Sequence, residues 1–219
     1  MSESRNGHYR EAVQSYSQAI LMDSTNDIYY NNRGMAHTSL GETEKALADF
    51  DKAISLNPNN AVYYANRGVL NSQGSRYHEA IVDYDMALRI GPKDDWAYYS
   101  RSTAKVYLGD LNGALSDMDL AIVNNPKDAA YYLQRGIIYA RKGDRLSAKS
   151  DFDTAVNLDP KNPVAREHRD ALNLPAPLVL PPDLGSLHLD NPHTQSTTPA
   201  PAASSPPAIA PIPGYSPRA

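Results

Sequence analysis

Carboxylates come in pairs along this chain: Asp49 with Asp51, Asp83 with Asp85, Asp117 with Asp119 and Asp151 with Asp153. Two neighbouring carboxylates could divide the roles of general acid and general base, if one were held protonated and the other ionised. Such chemistry needs the groups to converge on one cleft. These recur at even intervals instead, accompanied by an equally regular row of arginines, Arg33, Arg67, Arg101 and Arg135. A guanidinium fork matches a carboxylate, so pairing between helices explains the recurrence; aspartates that are simply solvated are the alternative. The six histidines are scattered without ligand spacing. The chain has no cysteine, which removes disulfides, thiol catalysis and cysteine-held metal. No serine lies in a nucleophile-elbow setting, and Asn32-Arg33-Gly34 is not a phosphate-binding loop. No catalytic residue, metal or cofactor is expected, and the chain does not read as an enzyme.

The even interval is the dominant signal. DIYYNNRGMAHTSLGETEKALADFDKAISLNPNN from Asp27 returns from Ala61, from Asp95 and from Ala129, and a shorter copy starts at Gly7. Each copy reads as two amphipathic helices joined at a turn holding Gly41, Gly74, Gly109 or Gly143, where glycine tolerates positive φ. On the second helix, alanines stand at i and i+7 with an aromatic at i+4: Ala12, Tyr16 and Ala19; Ala46, Phe50 and Ala53; Ala80, Tyr84 and Ala87; Ala148, Phe152 and Ala155. The copy with Ala114 and Ala121 carries Met118 instead. That spacing puts all three on one face, where small residues let backbones approach and the large one fills the remaining space. One such pair cannot bury its apolar face alone, so neighbours must stack.

The period, with Tyr30, Tyr64, Tyr98 and Tyr132, the small residues Gly34, Gly68, Ser102 and Gly136, and the closing prolines Pro58, Pro92, Pro126 and Pro160, resembles the tetratricopeptide repeat. The resemblance covers about residues 1–174. It implies an all-α, right-handed superhelical solenoid of about five 34-residue helix-turn-helix repeats. The expected divisions are a partial first repeat at 1–26, full repeats at 27–60, 61–94, 95–128 and 129–162, and a capping helix at 163–174. A disordered tail rich in proline, alanine and serine would follow at 175–219.

In this family the first helix of each pair lines a concave groove. By resemblance, Asn32, Asn66, Ser100 and Gln134 hold equivalent groove positions. They are similar to the asparagine ladder of O-linked N-acetylglucosamine transferases, which hold extended peptides this way; solvated polarity on a helix face is the alternative. Trp96, the only tryptophan, stands with Tyr99, Thr103 and Tyr107 at helical spacing. It reads as a binding anchor, with packing between repeats as the alternative. The family's chaperone co-factors clamp an acidic C-terminus with lysines and an arginine. Here Asn66 fits the clamp's middle asparagine, but Asn31 and Met35 stand for a lysine and an asparagine, and Trp96 and Ser100 for a lysine and the arginine, so that role is not expected.

Seen from the ends, Ser2 to Gly7 promise only a stub, with the first true helix from about Tyr9 to Met22. One reading is a frayed cap; the other is that more repeats lie upstream. Asn162-Pro163 reads as an N-cap before a final helix whose Val164, Ala165, His168, Ala171 and Leu172 face inward. From Pro175 the chain is dense in proline and poor in charge, with one apolar stretch, LVLPPDLGSLHL. A formal net charge of −4 argues against nucleic acid, and no run is long enough to span a membrane, which points to the cytoplasm. The expected function is a non-catalytic scaffold that binds a protein or peptide partner, as an extended peptide or a helix. The alternatives are a structural homo-oligomer or piece of a longer array, and the regulatory region of a larger enzyme.

Overall fold

The computed structural model describes residues 2–172, and the expected tail at 175–219 lies outside them. Ten helices and no strand occur among the described residues. They are α1 (Ser2–Met22), α2 (Asp27–Ser39), α3 (Thr43–Leu56), α4 (Ala61–Gln73), α5 (Tyr77–Ile90), α6 (Asp95–Tyr107), α7 (Leu111–Asn124), α8 (Ala129–Arg141), α9 (Arg145–Leu158) and α10 (Pro163–Ala171). The described chain falls into two compact units that divide between Leu70 and Asn71, within α4.

Recurrent side-chain caps start the even-numbered helices, α2 to α10, that open each copy. Asn26, Asn60, Asp94, Asp128 and Asn162 each accept a backbone N–H from the first turn of the helix that follows. Such a cap contributes about 1 kcal/mol. A tyrosine one turn later closes the preceding connection: the hydroxyls of Tyr64, Tyr98 and Tyr132 donate to the carbonyls of Pro58, Pro92 and Pro126. The tyrosine and the proline therefore recur together because they bond to each other.

Small and large residues interlock as the spacing implies. The alanines at 46, 53, 80, 87, 114, 121, 148 and 155 are all 0 % exposed, and Phe50, Tyr84, Met118 and Phe152 no more than 1 %. Gly34 is required by the packing: a β-carbon there would stand 2.9 Å from the Phe50 ring. In the first unit Phe50 packs with Ala46, Leu70 and Met35, and Tyr30 with Ala53 and Tyr63. In the second, one core joins Tyr99, Met118, Tyr131, Ile138, Phe152, Ala165 and Leu172.

Three expectations are corrected. The N-terminal residues form one helix, α1, from Ser2 rather than a stub, since nothing between Ser2 and Tyr9 blocks φ or removes a donor as proline would. Gly41, Gly109 and Gly143 do adopt positive φ, but in the second copy that conformation falls on Ser75, at φ 58°, and not on Gly74. Counting from the start of each copy, Ser75 holds the place of the other three glycines. Finally, Val164 points outward, 40 % exposed, while Ala165, Leu172 and the half-buried His168 turn to the core.

Candidate functional site

The arginines and aspartates form a framework. In the first unit Arg33 donates through Nε and Nη2 to both oxygens of Asp49, at 2.8 and 2.7 Å, and through Nη1 to Ser17. In the second, Arg101 grips Asp117 in the same way and Arg135 grips Asp151, while their Nη1 atoms reach Asp85 and Asp119. The first aspartate of each pair is buried and the second exposed. Each guanidinium also lies over a tyrosine ring, Arg101 on Tyr98 at 5.5 Å and Arg135 on Tyr132 at 5.7 Å. These carboxylates are occupied in holding helices together. Among the described residues no cluster of histidine, aspartate and glutamate could hold a metal ion.

Sequence reasoning missed a second polar clasp. Asp27 accepts from Asn57 Nδ2 at 2.9 Å and from the Tyr63 hydroxyl at 2.7 Å; Asp95 accepts likewise from Asn125 and Tyr131. Burial, and then the nearby Asp27 and Asp95, push the hydroxyls of Tyr63 and Tyr131 above the ordinary phenol range. The signal was present in the recurrence of aspartate and asparagine 30 residues apart.

The candidate groove residues divide by unit. In the first unit the carboxamides form a relay. Asn66 Nδ2 donates to Asn31 Oδ1 at 2.9 Å, Asn31 Nδ2 to Asn32 Oδ1 at 3.1 Å, and Asn32 Nδ2 to the Tyr16 hydroxyl at 3.4 Å. Burial raises the Tyr16 hydroxyl above its ordinary range, with the Asn32 bond opposing. The relay borders a cleft of about 80 Å³ whose other walls include Tyr9, Met35, Thr38 and Val69. Among the described residues no charged side chain lines it. Asn31, which sequence reading placed on the groove without singling it out, is the link that joins the copies.

The second unit is closed where the first is open. Trp96 and Tyr99 are each 8 % exposed, Thr103 3 %, Ser100 1 % and Gln134 0 %. Trp96 meets the ring of Tyr84 edge-on at 6.4 Å, and Tyr99 packs on Tyr131 at 5.5 Å. Thr103 returns its hydroxyl to the Tyr99 carbonyl. Neither amide atom of Gln134 has a hydrogen-bond partner among the described residues. Asn31 supplies the acceptor for Asn66; Tyr99 holds the corresponding place before Gln134, and a ring offers no such acceptor.

The tetratricopeptide-repeat family matches residues 28–60, 50–82 and 129–162. The chain is a tetratricopeptide-repeat protein. No curated protein sequence matches it. Solved tetratricopeptide-type structures share its fold. MamA (residues 41 to end) from Desulfovibrio magneticus RS-1 is 22 % identical with a TM-score of 0.66, over 74 % of this chain and 93 % of that one. The Cut9–Hcn1 hetero-tetramer of the APC/C gives 17 % and 0.66, over 76 % of this chain and 33 % of that one. The first tetratricopeptide domain of Spaghetti (RPAP3), bound to the HSP90 peptide SRMEEVD, gives 24 % and 0.51, over 52 % and 90 %. At these identities the likeness concerns the fold. No helix of this tetratricopeptide-repeat protein, among the described residues, is long and apolar enough to cross a membrane.

Proposed function

We propose that this tetratricopeptide-repeat protein is a non-catalytic interaction scaffold that holds an extended, uncharged peptide segment against α2 and α4. The observation that carries the reading is the carboxamide relay Asn66–Asn31–Asn32 beside an open, uncharged cleft. Carboxamides offer donor and acceptor together, so they can bond to peptide backbone whatever its sequence. Met35 and Val69 supply apolar contact on the same wall. The peptide held by the RPAP3 domain illustrates what the fold can do; the acidic end of that peptide is not the ligand proposed here, because among the described residues no cation lines the cleft.

The test is binding of full-length protein to a panel of extended peptides, uncharged, acidic and basic, followed by titration of the best. Asn32→Ala is expected to weaken the uncharged hit by about 1 kcal/mol, roughly a fivefold rise in Kd. Preference for acidic peptides, or a Kd indifferent to Asn32→Ala, would overturn the proposal.

A further inference from the structure

The wall that α1 gives the cleft is spaced for one kind of backbone. Tyr9 and Tyr16 stand seven residues apart on that helix with the small Ala12 between them, and all three line the cleft. Seven residues of α-helix rise about 10.5 Å. In the left-handed polyproline helix, side chains three residues apart share one edge and lie about 9.3 Å apart. A segment in that conformation, laid along α1, sets one side chain on each ring and passes over Ala12.

The polar wall suits the same backbone. Each carboxamide nitrogen carries two hydrogens. Asn32 spends one on Tyr16 and Asn66 spends one on Asn31, which leaves each with another among the described residues. Thr38 and Ser39 spend their hydroxyl hydrogens on carbonyls of their own helix. The hydrogens left over call for carbonyls. Proline-rich backbone supplies carbonyls and brings few N–H groups that would need acceptors in return.

The sequence contains such a segment beyond the described residues. Between Asp190 and Arg218 there is no formally charged side chain, and the only large apolar ones, Ile209, Ile212 and Tyr215, fall three apart. Pro206, Pro207, Pro211 and Pro213 lie among them, and proline holds φ near the polyproline value. The other apolar stretch, Leu178 to Leu189, contains Asp183, for which the cleft offers no cation among the described residues. The 36 residues between Leu172 and Ile209 tether the segment to its own chain, at an effective concentration on the order of 1 mM.

We propose that residues 206–215 of this chain occupy its own cleft in the polyproline conformation, with Ile209 and Ile212 on the two rings of α1 and backbone carbonyls accepting from Asn32 and Asn66. The inference rests on the peptide reading of the cleft and names the first peptide it holds. A partner peptide then competes with this tail for the same wall.

The test compares full chains. A free peptide of residues 206–215 is titrated into the unsubstituted protein and into the double variant Ile209→Asp, Ile212→Asp. The double variant is expected to bind it about threefold more tightly, the gain from removing a tethered competitor at ~1 mM whose own Kd is about 0.5 mM. The response to Asn32→Ala is expected in full in that variant, since in the unsubstituted chain the tail shares it. Equal Kd in the two chains would overturn this inference and leave the peptide reading standing. No binding to the double variant would also overturn it, and the peptide reading falls as well only if the panel of uncharged peptides fails there too. Because the chain has no cysteine, a second arm reads position directly. Ser39→Cys, on the cleft wall, paired with Ala210→Cys should form a disulfide within one chain on mild oxidation. It should do so faster than Ala210→Cys with Ser55→Cys, a position exposed on α3 and outside the cleft walls. A disulfide that only joins two chains, or one no faster than that control, would overturn the proposal.

Discussion

Asp151 receives two parallel hydrogen bonds from Arg135, both 2.8 Å long, while the same guanidinium reaches Asp119 through its third nitrogen. Asp151 is 6 % exposed at the side chain and Asp119 56 %. The two arms should therefore differ in worth. Arg135→Leu strands a buried carboxylate and is expected to cost about 3 kcal/mol; Asp119→Ala removes an exposed ion pair and is expected to cost less than about 1 kcal/mol. Urea unfolding of both variants checks this, and equal losses would count against the division.

Gly136 and Phe152 can be exchanged only together. A β-carbon on Gly136 would stand 2.6 Å from the Phe152 ring and 3.3 Å from the Ala148 carbonyl. Gly136→Ala gains about 1 kcal/mol of helix propensity, but the buried ring cannot move aside, and a net loss of about 1–3 kcal/mol is expected. Another copy already holds the compensated pair, Ser102 with Met118. The double variant Gly136→Ser, Phe152→Met should recover most of the stability lost by Gly136→Ser alone, as a double-mutant cycle would show.

Gln134 is fully buried with both amide atoms unpartnered among the described residues. Methionine has nearly the same length and volume and needs no bond. Gln134→Met is expected to raise stability by about 1–2 kcal/mol, seen as a higher Tm. A fall in Tm would show that the amide is engaged in the folded protein.

Ser75 sits at φ 58° in a turn where the other copies use glycine. Ser75→Gly relieves the contact between β-carbon and carbonyl oxygen, and about 1 kcal/mol of stabilisation is expected. Gly74→Ala, one residue earlier, should give no such gain.

His168 stacks on Phe152 with ring centroids 5.4 Å apart. Burial lowers its pKa below the ordinary 6.5, with Glu167 opposing. The folded protein thus takes up this proton less readily than the unfolded chain. The contribution to stability is whole above the ordinary value and is lost as pH falls through it toward the lower folded value. Thermal melts at falling pH should show Tm dropping below about pH 6.5, with a shallower slope for His168→Phe. An unchanged slope in that variant would assign the effect elsewhere.

The repeat, the interlocking alanines and the arginine–aspartate framework were all legible in the sequence, because each depends on residues that recur at the same place in every copy. What failed to show was departure from the average copy. Asn66 and Gln134 look alike in register, yet Asn31 stands in the copy before one and Tyr99 in the copy before the other, so the carboxamide ladder became a relay in one unit and, among the described residues, a buried, unpartnered amide in the other. Trp96 stands in register with Ile28, Val62 and Ala130, and the register alone did not show that its ring packs edge-on against Tyr84. The turn glycine of the second copy was misplaced by one residue because Gly74 stands beside the serine that adopts the unusual angle.

The reach of each arginine has a consequence for how such a chain can change in length. Arg101 and Arg135 each hold an aspartate sixteen residues before and another sixteen residues after. Loss or gain of one residue in a connecting turn would pull a guanidinium out of line with its carboxylate on that side. Excision or duplication of a whole copy, about 34 residues, would return every rung to an equivalent partner. A change of length by entire modules is therefore the kind expected to keep every rung, and a one-residue insertion at these turns is expected to cost stability where surface loops ordinarily tolerate it.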